Sequence, residues 1–344
     1  MSNLSVWSLT NCQEWDKVVC SFAAYDVHYL SGYVSAFKIH GEGEPYLFYY
    51  ESQNLRGMNV VMRRDISKDA NFVGKLPENT YFDFATPYGY GGWVLEGSGD
   101  TEELFTKYQK WCKENGIVCE FVRFSLSSST CDKYYGEVIQ RTNNVVRELD
   151  RPMDEIMMDF EHKVRKNVKR AESSGLSVMV DLKGENLESF LQIYSSTMMR
   201  NQAKQSYYFE DAFYREINTM TGHFAYFYVL LEEKRIASEL VLMGPDAIYS
   251  FLGGTDDEYF SYRPNDYLKY CIIRWGIENG YKRFVLGGGY GADDGIFRYK
   301  KSFAPDGIIP FYTGQAIFDP KVYDMLVGMR TDLQQEAFFP KYRA

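Results

Sequence analysis

Between His223 and Gly287 the chain reads HFAYFYVLLEEKRIASELVLMGPDAIYSFLGGTDDEYFSYRPNDYLKYCIIRWGIENGYKRFVLG. Three apolar runs, His223 to Leu231, Arg235 to Met243 and Ala247 to Leu252, are rich in β-branched and aromatic residues and predict strands. The first two are joined only by Glu232-Glu233-Lys234, which implies an antiparallel hairpin. Pro264 to Asn279 predicts a helix, with Pro in its first turn and Gly280 after its end. Arg283 to Leu286 predicts a further strand, so that helix is a crossover between parallel strands. The fold class is therefore α/β with a mixed, mostly antiparallel sheet.

Outward from this stretch the pattern continues. Asp154 to Ser173 predicts a long helix: Phe160, Val164, Val168 and Ala171 recur on one face, and Gly175 suits the position after its end. Leu176 to Val180 predicts a strand and Leu187 to Arg200 a helix. Downstream, Gly287 to Gly291 is a glycine-rich loop before a short helix, Gly295 to Phe303. A hairpin over Ile308 to Phe318 and a helix over Pro320 to Gln335 follow. In the first half, Pro45 to Tyr50 and Met58 to Met62 predict strands across a turn at Gly57. A Gly/Pro-rich loop (Thr86 to Val94), a helix (Glu102 to Gly116) and a strand (Val118 to Phe124) follow. At about 100–200 residues per domain, 344 residues imply two domains.

The charge balance is 38 basic against 47 acidic side chains, net −9. That argues against DNA or general nucleic-acid binding, which rests on phosphate neutralisation. The start, MSNLSVWSLTNCQEWD, has no basic and apolar leader, and the longest apolar run, Phe224 to Leu231, is far short of a span of about 20 residues. A cytoplasmic protein is expected, and the six scattered Cys, with no C-x-x-C, fit free thiols there. No metal site is expected, since the acidic pairs lack His partners.

Two basic features stand out against the acidic background. KVRKNVKR, Lys163 to Arg170, is a run of a prospective helix with Lys163, Lys166 and Arg170 on one face. It reads either as a solvated face or as a contact for an anionic ligand. GIFRYKKSF, Gly295 to Phe303, sets Lys300 and Lys301 among aromatics just after the glycine loop, where an ammonium can neutralise phosphate or an oxyanion. The acyl-CoA pyrophosphate signature R/Q-x-x-G-x-G/A is missing: Arg263 is followed by Pro264-Asn265-Asp266.

Taken in order, five segments resemble the Fem family, the aminoacyltransferases of peptidoglycan cross-bridge synthesis, and the wider Fem-like members of the GNAT superfamily. They are HKVRKNVKRAESSGLSV (His162 to Val178), STMMRNQAKQSYYF (Ser196 to Phe209), RIASELVLM (Arg235 to Met243), the segment Tyr249 to Gly280, and FVLGGGYGADDGIFRYKKSF (Phe284 to Phe303). The resemblance implies two GNAT-like domains, each a mixed, mostly antiparallel sheet flanked by helices. The first would span 1–147 and be completed by 316–344; the second, 148–315, would carry the transferase cleft. The long coiled-coil arm of some members is absent, and Arg123-Phe124-Ser125-Leu126 stands where RF-H-P is common.

The resemblance also implies roles. Tyr299-Lys300 matches the family's aromatic–Lys pair, which places Lys300 at the acyl donor and transition state. Arg200 would hold a phosphate or carboxylate of the acceptor, with Tyr207 or Tyr208 beside it. Tyr208 and Tyr249 would position groups or relay a proton. The cleft is expected between Tyr249–Gly253 and Phe284–Gly287, lined by Gly253 and Gly287, with Lys301 adjacent. Lys163, Lys166 and Arg170 would meet a tRNA acceptor stem. The implied reaction moves an aminoacyl group from aminoacyl-tRNA to an amine of a nucleotide- or lipid-linked cell-wall precursor, with peripheral membrane association and no resident cofactor. Two alternatives remain: an N-acyltransferase using acyl-CoA or a carrier thioester on an amino sugar of a surface polysaccharide, and a non-catalytic GNAT-like binding module.

Overall fold

The computed structural model describes residues 2–126, 129–291, 293–330 and 338–344. The chain divides into two units, Met1–Arg141 with Phe311–Ala344, and Thr142–Pro310.

In the first unit, β1 (Asn3–Trp7), α1 (Cys12–Cys20) and α2 (Ser31–Ile39) precede β2 (Glu44–Glu51), β3 (Leu55–Asp65), β4 (Phe82–Ala85) and β5 (Val94–Gly97). Then come α3 (Glu102–Glu114), β6 (Ile117–Arg123) and β7 (Glu137–Gln140). The second unit contains β8 (Asn144–Glu148), α4 (Met153–Asp159), α5 (His162–Ser173), β9 (Leu176–Asp181), α6 (Leu187–Arg200) and α7 (Asp211–Ile217). It continues through β10 (Phe224–Leu231), β11 (Lys234–Met243), β12 (Ala247–Thr255), α8 (Pro264–Glu278), β13 (Arg283–Gly287), α9 (Gly295–Lys301) and β14 (Ile308–Ile309). The chain then returns to the first unit with β15 (Tyr312–Ile317) and α10 (Pro320–Gly328).

The first sheet runs β1-β2-β3-β4-β6-β15-β7, with β5 also on β3, and the second runs β14-β8-β13-β12-β11-β10-β9. Pairing is antiparallel except at β4/β6 and β12/β13. The second sheet is covered on one face by α5 and α8, where Val164, Val168, Leu268 and Ile272 pack with Val241, Ile248 and Phe284. On the α6/α7 side, rings fill the space: Phe190 meets Tyr226 at 5.1 Å and Tyr214 at 5.6 Å. The α/β class with mixed, mostly antiparallel sheets holds.

Several boundaries differ from the sequence reading. β8 pairs with β13, so the second unit starts before residue 148, and β15 pairs with β6, so it ends before 315. For the same reason Ile308 to Phe318 is not a hairpin: β14 joins the second sheet and β15 the first, on either side of Pro310. Gly57 lies inside β3 opposite Tyr50, and the turn sits at Ser52 to Leu55. The long helix is two. Phe160 and Glu161 are extended (ψ 147° and 145°), which separates α4 from α5. Arg165 closes α4 by donating to the carbonyls of Met158 and Phe160 at 2.6 and 2.8 Å. The Phe160 ring packs on Phe303 at 5.4 Å, so the apolar period crosses the break unchanged. The last helix ends at Gly328; the part expected over 331–335 lies outside the described residues.

The first unit buries Glu120 on β6 with no basic partner among the described residues; it accepts from the hydroxyls of Tyr108 (2.6 Å) and Tyr135 (2.8 Å). Burial pushes its carboxyl up to about 7, against which the two hydroxyl bonds work. An acid raised on folding contributes stability that is present below its unfolded value, 4.5, and lost as pH climbs through about 7. Glu120→Gln keeps an acceptor for the hydroxyls without the charge. It should raise stability at pH 8 by on the order of 3 kcal/mol and change it little at pH 5, as read by thermal unfolding at both pH values.

Candidate active site

The parallel ladder of β12 and β13 is short. It joins Ala247 to Arg283, Ile248 to Phe284 and Tyr249 to Val285, and ends there. Beyond it β12 continues to Thr255 in register with β11. The strand is bulged: Val241 faces Ser250 but Leu240 faces Leu252, so Phe251 is the extra residue. β13 shifts at the same level, pairing Val285 with Val146 and then Gly287 with Val145. Gly287 has φ +81°, a left-handed conformation that glycine adopts without a Cβ clash. The two strands thus part after one short ladder, and a gap opens between them.

Lys300 is held beside this gap by the loop that follows β13. Asp294 caps α9, accepting from the Phe297 N–H at 2.8 Å, and also accepts from Tyr290 and Gly291 at 2.5 and 2.9 Å. A Cβ on Gly289 would lie 2.4 Å from the same carboxylate, so a glycine is required there. The folded-back loop presents its Gly288 carbonyl to Lys300, whose Nζ donates to it at 2.6 Å. Burial pushes the Lys300 ammonium down to about 8; Lys269 adds repulsion, and Glu239 and Asp294 oppose both.

Lys269 and Glu239 are the residues sequence reasoning missed. Lys269 on α8 is 8% exposed and Glu239 on β11 is 4% exposed, and they form an ion pair inside the domain. The Lys269 ammonium also donates to Ser250 Oγ at 2.7 Å. Next to Lys300, the Tyr299 hydroxyl is buried with no hydrogen-bond partner among the described residues. The signal was present: a lone Glu in ASELVLM and a lone Lys in DYLKYCII each interrupt an apolar pattern, and two such interruptions in facing elements call for a pair.

The other expected residues are dispersed. Arg200 Nη1 donates to the Thr255 carbonyl at 3.0 Å and sits 3.5 Å from Asp257, its guanidinium 5.1 Å from the Phe260 ring centre. It therefore braces the end of β12. The Tyr207 carbonyl accepts from the Tyr194 hydroxyl, and its ring meets Tyr290 at 6.3 Å. Tyr208 follows, half-buried. Tyr249 is buried in register with Leu242, on the face of β12 opposite Ile248 and Ser250, so strand alternation turns its ring away from the Lys269 side. Gly253 pairs with Glu239, and a Cβ there would meet the Ser238 carbonyl at 3.0 Å. Lys301 is half-buried. Lys163, Lys166, Lys169 and Arg170 lie along α5, whereas Arg165 is committed to α4.

The first turn of α8 is where a helix N-terminus at the gap would offer its N–H groups to a phosphate. It carries Asp266 instead, its carboxyl raised by burial despite an Asn167 hydrogen bond and the nearby charges of Arg263 and Lys163. Arg263, at φ +63°, precedes Pro264, which has no N–H.

Residues 158–301 match the model of the acetyltransferase (GNAT) domain family. Those residues form a GNAT acyltransferase domain, and the chain as a whole has a FemX-like fold. Among solved structures, FemX superposes with a TM-score of 0.68 at 15% identity, over 93% of this chain and 99% of that one. A conserved protein of unknown function from Bacteroides thetaiotaomicron reaches 0.60 at 9% identity, over 92% and 99%. The C-terminal domain of a putative lysylphosphatidylglycerol synthetase from Agrobacterium fabrum reaches 0.56 at 14% identity, over 90% and 92%. At these identities the likeness is one of fold. No curated protein sequence matches the chain. The GNAT domain includes β9 to β13, so the gap and Lys300 lie inside it. Among the described residues no group of His, Cys, Asp and Glu is placed to hold a metal ion, and no helix is long and apolar enough to cross a membrane.

Proposed function

We propose that the chain transfers an aminoacyl group from aminoacyl-tRNA to an amine of a cell-wall precursor in the cytoplasm, at the gap between β12 and β13. The observation that carries this over an acyl-CoA donor is the first turn of α8. An aspartate, an arginine with left-handed backbone and a proline occupy the place where glycine N–H groups would cradle a pyrophosphate. The basic face of α5, near that turn through the Lys163–Asp266 and Asn167–Asp266 interactions, suits an RNA backbone instead.

In this reading the acceptor amine attacks the ester carbon, the carbonyl oxygen gains negative charge, and the ribose oxygen departs with a proton from the amine. Holding both reactants in the gap supplies proximity. The Lys300 ammonium stabilises the oxyanion. Arg200 orients the acceptor through the end of β12, and Tyr249 stands on the face of that strand opposite Ser250.

The test is transfer of radiolabelled amino acids from bulk charged tRNA, or of acetyl from acetyl-CoA, to nucleotide-linked muramyl peptides. Transfer from tRNA and none from acetyl-CoA supports the reading; the reverse overturns it. Two further outcomes follow. Because Lys300 acts as a cation and is pushed down to about 8, kcat/KM should fall as pH rises through that value, and Lys300→Arg should move the fall to higher pH. Reversing Lys163, Lys166 and Arg170 to Glu should raise the KM for charged tRNA at least about tenfold. It should also lower the slope of log affinity against log salt by about 2, as measured by filter binding over a salt series.

A further inference from the structure

We propose that Ser250 is a further catalytic residue, whose hydroxyl donates a hydrogen bond to the acyl carbonyl oxygen in the gap. The inference rests on the gap being the transfer site, not on the identity of the donor. Ser250 is the first residue of β12 past the last rung shared with β13, and it stands at the bulge. It is half-buried, on the face of β12 that carries Lys269. Lys269 donates to the Ser250 oxygen at 2.7 Å, so one lone pair is taken and the hydroxyl hydrogen is directed elsewhere. Lys269 is itself fixed by Glu239, both carboxylate oxygens of which accept from its Nζ. The network therefore presets a polarised donor at the strand edge, where the carbonyl of a bound acyl group would lie.

A Ser–Lys pair at this distance also suggests a nucleophile with its base. The Glu239 carboxylate argues against that: it holds Lys269 as an ammonium, which has no lone pair to take the serine proton. In the proposed step the amine nitrogen bonds to the acyl carbon, the carbonyl π electrons move to oxygen, and the C–O or C–S bond of the donor then breaks. The leaving atom takes a proton from the new ammonium. Ser250 and Lys269 keep their protons throughout, and no acyl-serine forms.

Ser250→Ala should lower kcat at least about 30-fold with KM within about twofold, and Ser250→Thr should recover most of the rate. Intact-mass analysis after quenching a reaction with charged tRNA or acetyl-CoA should show no acyl adduct on the wild type. A readout without turnover accompanies these: in Ser250→Cys the introduced thiol should be alkylated by iodoacetamide faster than buried Cys271, as scored by peptide mass spectrometry. No labelling of the introduced thiol, an unchanged kcat in Ser250→Ala, or an acyl group on Ser250 would each overturn the proposal. A wild type that uses neither donor would refute the transfer reading, while alkylation in Ser250→Cys would still decide whether this side chain opens onto the gap.

Discussion

Lys300→Met should lower the rate of acyl transfer at least about 100-fold while leaving the fold intact. The magnitude is that of removing one preorganised donor from an oxyanion site. The ammonium donates to the Gly288 carbonyl, which lies in a half-buried loop that water can reach. Methionine fills nearly the same volume, and it does not carry the cost of desolvating a charge that depresses the lysine. Melting should accordingly stay level or rise, which separates lost chemistry from lost structure. Lys301→Met, one residue on, controls for general charge and should remain within a few-fold of wild type. An unchanged rate in Lys300→Met would remove this residue from the mechanism.

Lys269→Met should cost about 3–5 kcal/mol of stability, because it strands the Glu239 carboxylate inside the domain. In a domain of this size that is roughly 6–20 °C in melting temperature. The companion variant decides the cause. Glu239→Leu together with Lys269→Met replaces both charges by apolar groups of similar bulk and should recover most of the loss. If the double variant melts as low as the single one, packing rather than the orphaned charge is responsible. The pair is thus dispensable for stability if removed whole. Its retention fits a role in holding Ser250, and the double variant should remain as slow as Ser250→Ala.

The second unit was legible because its punctuation is local. Pro264 opens α8 and Gly280 follows it, the Glu-Glu-Lys turn separates β10 from β11, and Asp294 caps α9. The break at Phe160 was not, because its cause is tertiary: Glu161 donates its N–H to the Ser302 carbonyl, far along the chain, and the apolar stripe runs on across the kink. The helices α1 and α2 went unread because α2 is apolar on most sides and α1 is only nine residues long. At the site, Lys300 drew notice through its aromatic neighbours and the glycine loop, and its expected role came from the resemblance to the Fem family. Glu239 and Lys269 left a trace, a lone charge in each of two apolar runs, but their junction with Ser250 left none, since it joins three elements whose register no spacing in the sequence reveals. Tyr249 was read from its position on the strand; its orientation depends on strand parity, which the structure supplies.

The most direct test is a crystal structure with a non-hydrolysable donor, a short RNA hairpin ending in a 3′-amide-linked amino acid. The amide carbonyl oxygen is predicted to lie between β12 and β13, within about 3 Å of Ser250 Oγ or Lys300 Nζ. An aminoacyl group seated in the first unit, or on the second with Lys300 still bonded to Gly288 and remote from the carbonyl, would contradict the account.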